Sequence, residues 1–275
     1  KPLTIAAGID KGVIKRDSTY DDTGFLLLNG KRISNFDGKA RGRVSMQEIL
    51  NQSLNIGAAT VALKVGSEDF IRYFTSFGLG ERTGIDQPNE QKGQIKNLSS
   101  GREIEQATAS YGQGIALSPI ATIRAMSILA NGGFLIRPHI VKEINYTDGT
   151  VEKIDAGTPV PVIKKETTEE VTKMLVEVVD TALRKGEVKM DRYSIAAKTG
   201  TAQIADETNG GYYSDRYLHS FFGYFPAYSP RFIIFLYHKY PKGAQYASET
   251  LTNPFIELAK FLIAYYEIPP DRGEF

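Results

Sequence analysis

The sequence predicts an α+β fold: an antiparallel sheet covered by helices, with a helical lobe inserted ahead of it. Three observations predict it. The first half carries several helix-period segments in close succession. Three strand-like runs then follow one another over short links. Helices with an apolar face bracket those runs.

In chain order, Lys1-Pro2-Leu3-Thr4-Ile5 predicts a helix from the first residues, with proline in the first turn, where its missing N–H costs nothing. Phe25 to Leu28, Asn29-Gly30 and Lys31 to Ile33 predict a hairpin, because Asn-Gly accepts the positive φ of a type I′ turn. Ser45-Met46-Gln47-Glu48 reads as a capping box opening a helix to about Asn51. Asn55 to Leu63, stopping near Gly66, and Ser67 to Phe77, ended by Gly78 and Gly80, predict two more helices. Ser118-Pro119 opens an apolar helix over Ile120 to Ala130, closed by Asn131-Gly132-Gly133. The lobe is expected over approximately 10–165. Thr167-Thr168-Glu169-Glu170 then opens an amphipathic helix with Val171, Leu175, Val178 and Ala182 on one face and its end at Gly186. Tyr193 to Ala205, His219 to Phe225 and Arg231 to Tyr240 read as consecutive strands, linked by Asn209-Gly210-Gly211 and by Pro226 to Pro230, and predict a meander. A last helix, Pro254 to Tyr266, is expected to lay Phe255, Leu258, Phe261, Leu262 and Tyr265 on that sheet before Pro269-Pro270 stops it. Sheet and covering helices occupy approximately 166–270, so 1–275 reads as one domain.

Composition narrows the function classes. The 275 residues are 41% hydrophobic and 24% charged with a net charge of +1, a balance that recruits neither nucleic acid nor an anionic membrane face. There is no cysteine, hence no disulfide and no thiolate metal site. No apolar run reaches membrane-spanning length. His139, His219 and His238 are far apart in sequence without ligand spacing, so no metal or other cofactor is expected and the three read as surface or half-buried side chains.

Three short motifs carry chemistry. Lys198-Thr199-Gly200-Thr201 lies within a predicted strand. Alone, the triplet Lys-Thr-Gly reads first as a strand with one exposed lysine; a glycine inside a strand, however, marks close approach by a ligand or another backbone. Such an edge offers backbone hydrogen bonds and a cation to a peptide carboxylate. Ser53-Leu54-Asn55 falls between two helices and alone is accounted for by capping; projected into a cleft, the same hydroxyl and amide would relay a proton and hold a substrate amide. Lys1 stands at a helix N-terminus, where the dipole disfavours a cation. That is either a surface accident or a base pushed toward its neutral form.

In order and approximate spacing, Lys1, Ser53-Leu54-Asn55 and Lys198-Thr199-Gly200 resemble the last lysine of the Ser-x-x-Lys box and the second and third motifs of penicillin-binding proteins. Phe77-Gly78-Leu79-Gly80, Thr83-Gly84-Ile85-Asp86, Tyr111-Gly112-Gln113-Gly114-Ile115, Ala130-Asn131-Gly132-Gly133 and Phe222-Gly223-Tyr224-Phe225-Pro226-Ala227 look like the class B members, the monofunctional transpeptidases of bacterial cell-wall synthesis. The resemblance covers essentially the whole chain and implies the penicillin-binding/serine β-lactamase-like fold and a D,D-transpeptidase that cross-links peptidoglycan stem peptides through a serine acyl-enzyme, inhibited by β-lactams. It implies Lys1 as base, Ser53 as proton relay, Asn55 holding the substrate amide and positioning Lys1, and Lys198, Thr199 and Thr201 on the terminal carboxylate. The backbone N–H of Thr201, after substrate-binding Gly200, would supply one arm of the oxyanion hole and the serine's own N–H the other, with Gln203 a further substrate contact. The serine of that box belongs three positions before Lys1 and the family's first two sheet strands precede it, so the resemblance also implies that these residues are one part of a longer polypeptide. It implies action at the extracytoplasmic face of the bacterial membrane, an anchor outside this chain, and a glycan polymerase and other cell-wall synthesis proteins as partners. A β-lactam sensor or serine β-lactamase shares the three motifs, and a non-catalytic scaffold would keep the fold.

Overall fold

Helix α1, Pro2–Asp10, is buried from Pro2 through Gly8 and threads the middle of the helical lobe in the computed structural model, which describes residues 1–206 and 208–273. Strand β1 (Thr19–Asp22) pairs with β4 (Gly42–Ser45), enclosing the hairpin of β2 (Phe25–Leu28) and β3 (Lys31–Ser34). Its turn residues Asn29 and Gly30 have φ of 48° and 74°, as a type I′ turn requires. Helices α2 (Met46–Asn51), α3 (Asn55–Val65), α4 (Ser67–Ser76), α5 (Glu103–Ser110) and α6 (Pro119–Ala130) build the rest of the lobe. Small two-stranded ribbons follow: β5 (Phe134–Leu135) with β8 (Val160–Pro161), and β6 (Glu143–Asn145) with β7 (Val151–Lys153). Helix α7 (Lys165–Glu177) leads to the sheet of β9 (Ala196–Ala205), β10 (Tyr212–Phe225) and β11 (Phe232–Lys239), covered by α8 (Ala247–Thr250) and α9 (Thr252–Tyr265).

The predicted meander forms, in the order β11-β10-β9 and antiparallel throughout. Alternation along its strands makes it a two-faced wall. Ala196, Phe222 and Tyr224 join the core of the helical lobe, while Ala197, Phe221, Phe225 and Ile234 form a second core with α9. Among the described residues the outer edge of β9 is unpaired.

Helices α1 and α3 run side by side in one direction: Gly8 abuts Val61, and Lys11 Nζ donates to Val65 O at their far ends. Lys1 lies seven residues before Gly8 and Asn55 six before Val61, so at equal rise both N-termini reach the same end of the pair. Helix α5 packs against both, with Thr4 Oγ1 donating to Ser110 O (2.7 Å) and Gln106 Nε2 to Ala62 O (2.7 Å). That places its last turn, and Tyr111 beyond it, at the same end.

Several expectations are corrected. Ser45 is the N-cap of α2 but makes no side-chain cap bond, and the Glu48 carboxylate accepts from Asn51 and Gln52 instead of reaching back to it, so no capping box forms. Helix α7 begins at Lys165, before the Thr-Thr pair. Its N-terminus is served from outside by Asp10, whose carboxylate accepts from Lys164 N–H (2.8 Å) and Thr167 Oγ1 (3.0 Å) and also from Tyr73 OH (2.8 Å). The regular helix ends at Glu177 in a π turn and a kink, where Arg184 and Lys185 take φ of 48° and 58°. On α9 the buried stripe is Phe255, Ile256, Ala259 and Ile263. Phe261 and Tyr265 lie roughly 240° and 280° round from Phe255 at 3.6 residues per turn, are 58% and 68% exposed, and stack on each other at 5.7 Å. Helix α5 had no apolar signal because alanine, glutamine and serine make up most of its buried residues. His219 and His238 face each other across β10 and β11, and His219 is fully buried.

Three donors, two from the start of α7 and one from α4, meet on Asp10, so Asp10→Ala is expected to destabilise the protein by about 1–3 kcal/mol through unpaired donors, with Asp10→Asn costing less. Urea denaturation of the three proteins measures it.

Candidate active site

A groove of about 1630 Å³ runs between the β9 edge and the helical lobe. One wall is residues 198–205; the other is 92–99 and 111–117. Lys1 lies between them, half-buried, its Nζ 5.7 Å from the Tyr111 ring centroid. Lys198 is buried on β9 opposite Phe222, its Nζ donating to Thr199 O at 3.1 Å. Among the described residues neither lysine has an acidic partner. Burial, and then the charge of Lys198, lower the Lys1 ammonium from its ordinary value to about 7. Burial lowers Lys198 to about 8. An amine near 7 exchanges protons readily at neutral pH. Lys1, Lys92, Lys96, Lys198 and Lys239 line the groove against one carboxylate, Glu81, so its field favours an anionic ligand.

Of the residues singled out in the sequence, Lys1, Lys198, Thr199, Gly200, Thr201 and Gln203 share this groove. Ser53 and Asn55 are not on its wall. They stand at the start of α3, at the end of the α1–α3 pair where Lys1 also lies. Ser53 holds a positive φ of 56°, a strained conformation for a residue with a β-carbon. Asn55 Nδ2 donates to Ser34 O (3.1 Å), and among the described residues no hydrogen bond joins it to Lys1. A Cβ on Gly200 would sit 2.6 Å from Ser220 Oγ across the ladder, so any side chain there would force that hydroxyl to turn away. Thr201 Oγ1 accepts from Ala247 N–H (2.9 Å), which leaves its proton to donate. Gln203 Nε2 donates to Tyr213 O (3.2 Å).

Two tyrosines complete the site. Tyr111, just past the end of α5, places its ring beside Lys1, and the Tyr212 hydroxyl accepts from Gly114 N–H (3.0 Å), tying the start of β10 to the opposite wall. Tyr111 had a sequence signal in the run Tyr111-Gly112-Gln113-Gly114, whose glycines turn at φ of 92° and 73°, whereas Tyr212 had none.

A sheet covered on one face by α9 and on the other by a helical lobe, with paired lysines in the groove beside its edge strand, defines the penicillin-binding/serine β-lactamase-like fold. The chain belongs to the penicillin binding protein transpeptidase domain family, whose profile matches residues 1–258, and within it to class B. It is 31% identical over 260 residues to stage V sporulation protein D of Bacillus subtilis, covering 93% of this chain and 40% of that protein. It is 28% identical over 283 residues to penicillin-binding protein PbpB of Mycolicibacterium smegmatis, covering 99% and 44%. The chain thus spans less than half the length of these relatives. Penicillin-binding protein 3 of Mycobacterium tuberculosis, crystallised with aztreonam, superposes with a TM-score of 0.88 at 24% identity, covering 98% of this chain and 62% of that one. The transpeptidase domain of Burkholderia pseudomallei penicillin-binding protein 3 gives 0.82 at 25%, covering 99% and 80%.

Proposed function

We propose that this domain catalyses D,D-transpeptidation of peptidoglycan stem peptides by serine acyl transfer. The observation that carries the reading is the pair of lysines, one near 7 and one near 8, beside an unpaired strand edge. Neutral Lys1 takes the proton of a serine hydroxyl presented three positions before it, and the oxygen attacks the carbonyl of the penultimate D-alanine. The tetrahedral oxyanion is held by the Thr201 N–H and the serine's own N–H. Collapse breaks the C–N bond, Ser53 passes a proton to the departing D-alanine amine, and a neighbouring stem's amine then attacks the acyl-enzyme to form the cross-link. Lys198, Thr199 and Thr201 hold the terminal carboxylate, Asn55 holds a substrate amide, Gln203 adds a contact, and the stem peptide aligns along the open edge of β9.

The relatives' names support the reading: one is named peptidoglycan D,D-transpeptidase FtsI of Buchnera aphidicola. The structure of a penicillin-binding protein 3 with aztreonam supports β-lactams as ligands of this groove. In this reading the protein acts at the extracytoplasmic face of the bacterial membrane, held there by an anchor outside this chain, with a glycan polymerase and other cell-wall synthesis proteins. No helix among the described residues is long and apolar enough to cross a membrane. Incubation of the full-length protein with fluorescent penicillin tests the chemistry. A stable covalent adduct is expected; absence of label would leave a scaffold, and rapid turnover of a chromogenic cephalosporin would make it a hydrolase.

A further inference from the structure

Helix α3 starts without a cap of its own. Its N-cap residue is Leu54, which has no side-chain acceptor, and the residue before that is the strained Ser53. A non-glycine residue keeps a positive φ only where its surroundings over-determine it. Three contacts do so here. Leu54 is fully buried and its N–H donates to Ile49 O (3.0 Å); Asn55 Nδ2 donates to Ser34 O (3.1 Å); and Ile56 N–H donates to Asn35 Oδ1 (3.1 Å). The last is an N-terminal cap delivered from another element, since Asn35 directly follows β3.

Asn35 is itself held with unusual completeness. It is 2% exposed, and its Nδ2 donates to both oxygens of Asp22 (2.9 Å each) and to Lys39 O (3.1 Å). Asp22 is 1% exposed; it also accepts from Gly24 N–H (2.8 Å) and Tyr20 OH (3.3 Å). Tyr20 in turn abuts α3, for a Cβ on Gly57 would fall 2.5 Å from its Oη. With its amide nitrogen committed to Asp22, Asn35 can present only its oxygen to Ile56, so the cap has one orientation.

We propose that Asn35, oriented by buried Asp22, is a positioning residue for Ser53 and Asn55: it caps α3 from outside and holds the Ser53 turn in the conformation that the proton relay requires. The inference rests on the transpeptidase reading above. It also accounts for how a motif off the groove wall is aimed, because the turn is pinned by Ser34 at the end of β3 and by Asn35 just after it.

The test uses the complete transpeptidase and penicillin, with the dissociation constant and the acylation rate constant measured separately, well below the melting temperature. Asn35→Ala is expected to slow the acylation rate constant about tenfold to a hundredfold, as a misaimed catalytic group does, with little change in penicillin affinity. Asn35→Asp alone sets two carboxylates face to face and is expected to be slow as well. Adding Asp22→Asn to it restores one donor–acceptor pair, while the carboxylate introduced after β3 still accepts from Ile56 N–H, and this double variant is expected to recover acylation to near the parent rate. Should Asn35→Ala fail to fold, the Asn35→Asp and double variants decide the matter alone. Variants that lose melting temperature yet acylate at the parent rate would overturn the proposal, as would a double variant that regains stability without regaining rate. If the parent protein takes no label, the transpeptidase reading fails first and separately.

Discussion

Lys1→Met is expected to leave the groove intact and slow acylation by penicillin by about 10²–10⁴-fold, the range that a positioned general base contributes. Lys1→Arg should be as slow, because a guanidinium stays protonated and cannot accept the serine proton. If Lys1→Arg kept the parent rate, the role of Lys1 would be its charge and the mechanism above would be wrong. The pH profile carries the same argument with a definite sign. Lys1 must be neutral, so the rate rises with pH through about 7; Lys198 must be charged to hold the carboxylate, so the rate falls above about 8. The two amines are coupled, and a narrow bell belongs to the pair rather than to either alone. Lys198→Met removes the like charge that helps to lower Lys1, so the rising limb should move to higher pH. It should not move to the ordinary lysine value, since burial is the larger cause.

What the sequence disclosed follows from what is local. Lys198-Thr199-Gly200-Thr201 was readable because motif and strand are one contiguous stretch, and the groove holds all four. The hairpin at Asn29-Gly30 was readable because two residues dictate its turn. Asn35 was not, and neither was the place of Tyr111 beside Lys1, because each acts on a residue brought near only by folding: Asn35 on the start of α3, and Tyr111 on Lys1 more than a hundred positions away. Helix α7 illustrates the limit of local rules. The Thr-Thr-Glu-Glu signal is sound chemistry, but the helix starts at Lys165 and Asp10, from a distant helix, bonds its first turn. The stripe on α9 held for Phe255, Leu258 and Leu262, which pack in or against the second core, and failed for its other two members. Aromatic identity suggested Phe261 and Tyr265 for the core, whereas helical angle puts them on the far side from Ala259 and Ile263.

The second core gives the other large expectation. Phe255 of α9 is fully buried, stacks on Phe221 with centroids 4.4 Å apart and meets Phe225 edge-on at 6.4 Å. Phe255→Ala should therefore cost about 3–5 kcal/mol, the transfer free energy of the ring plus the cavity it leaves. The site facing that ring has no slack, because a Cβ on Gly223 would lie 2.5 Å from Phe255 Cζ and 2.8 Å from Ala197 Cβ. Gly223→Ala should then cost about 1–3 kcal/mol by overpacking. The two changes share one space, so they should not add: in the Phe255→Ala background the new methyl has room on one side, and the double variant should be more stable than the sum predicts. Guanidinium unfolding of the four proteins gives the coupling. Strict additivity would mean that α9 does not press on β10 at Gly223. The effect should reach the chemistry only through the folded population, since Phe255 packs on the face of the sheet turned away from Lys1, and the acylation rate of the folded fraction should be unchanged.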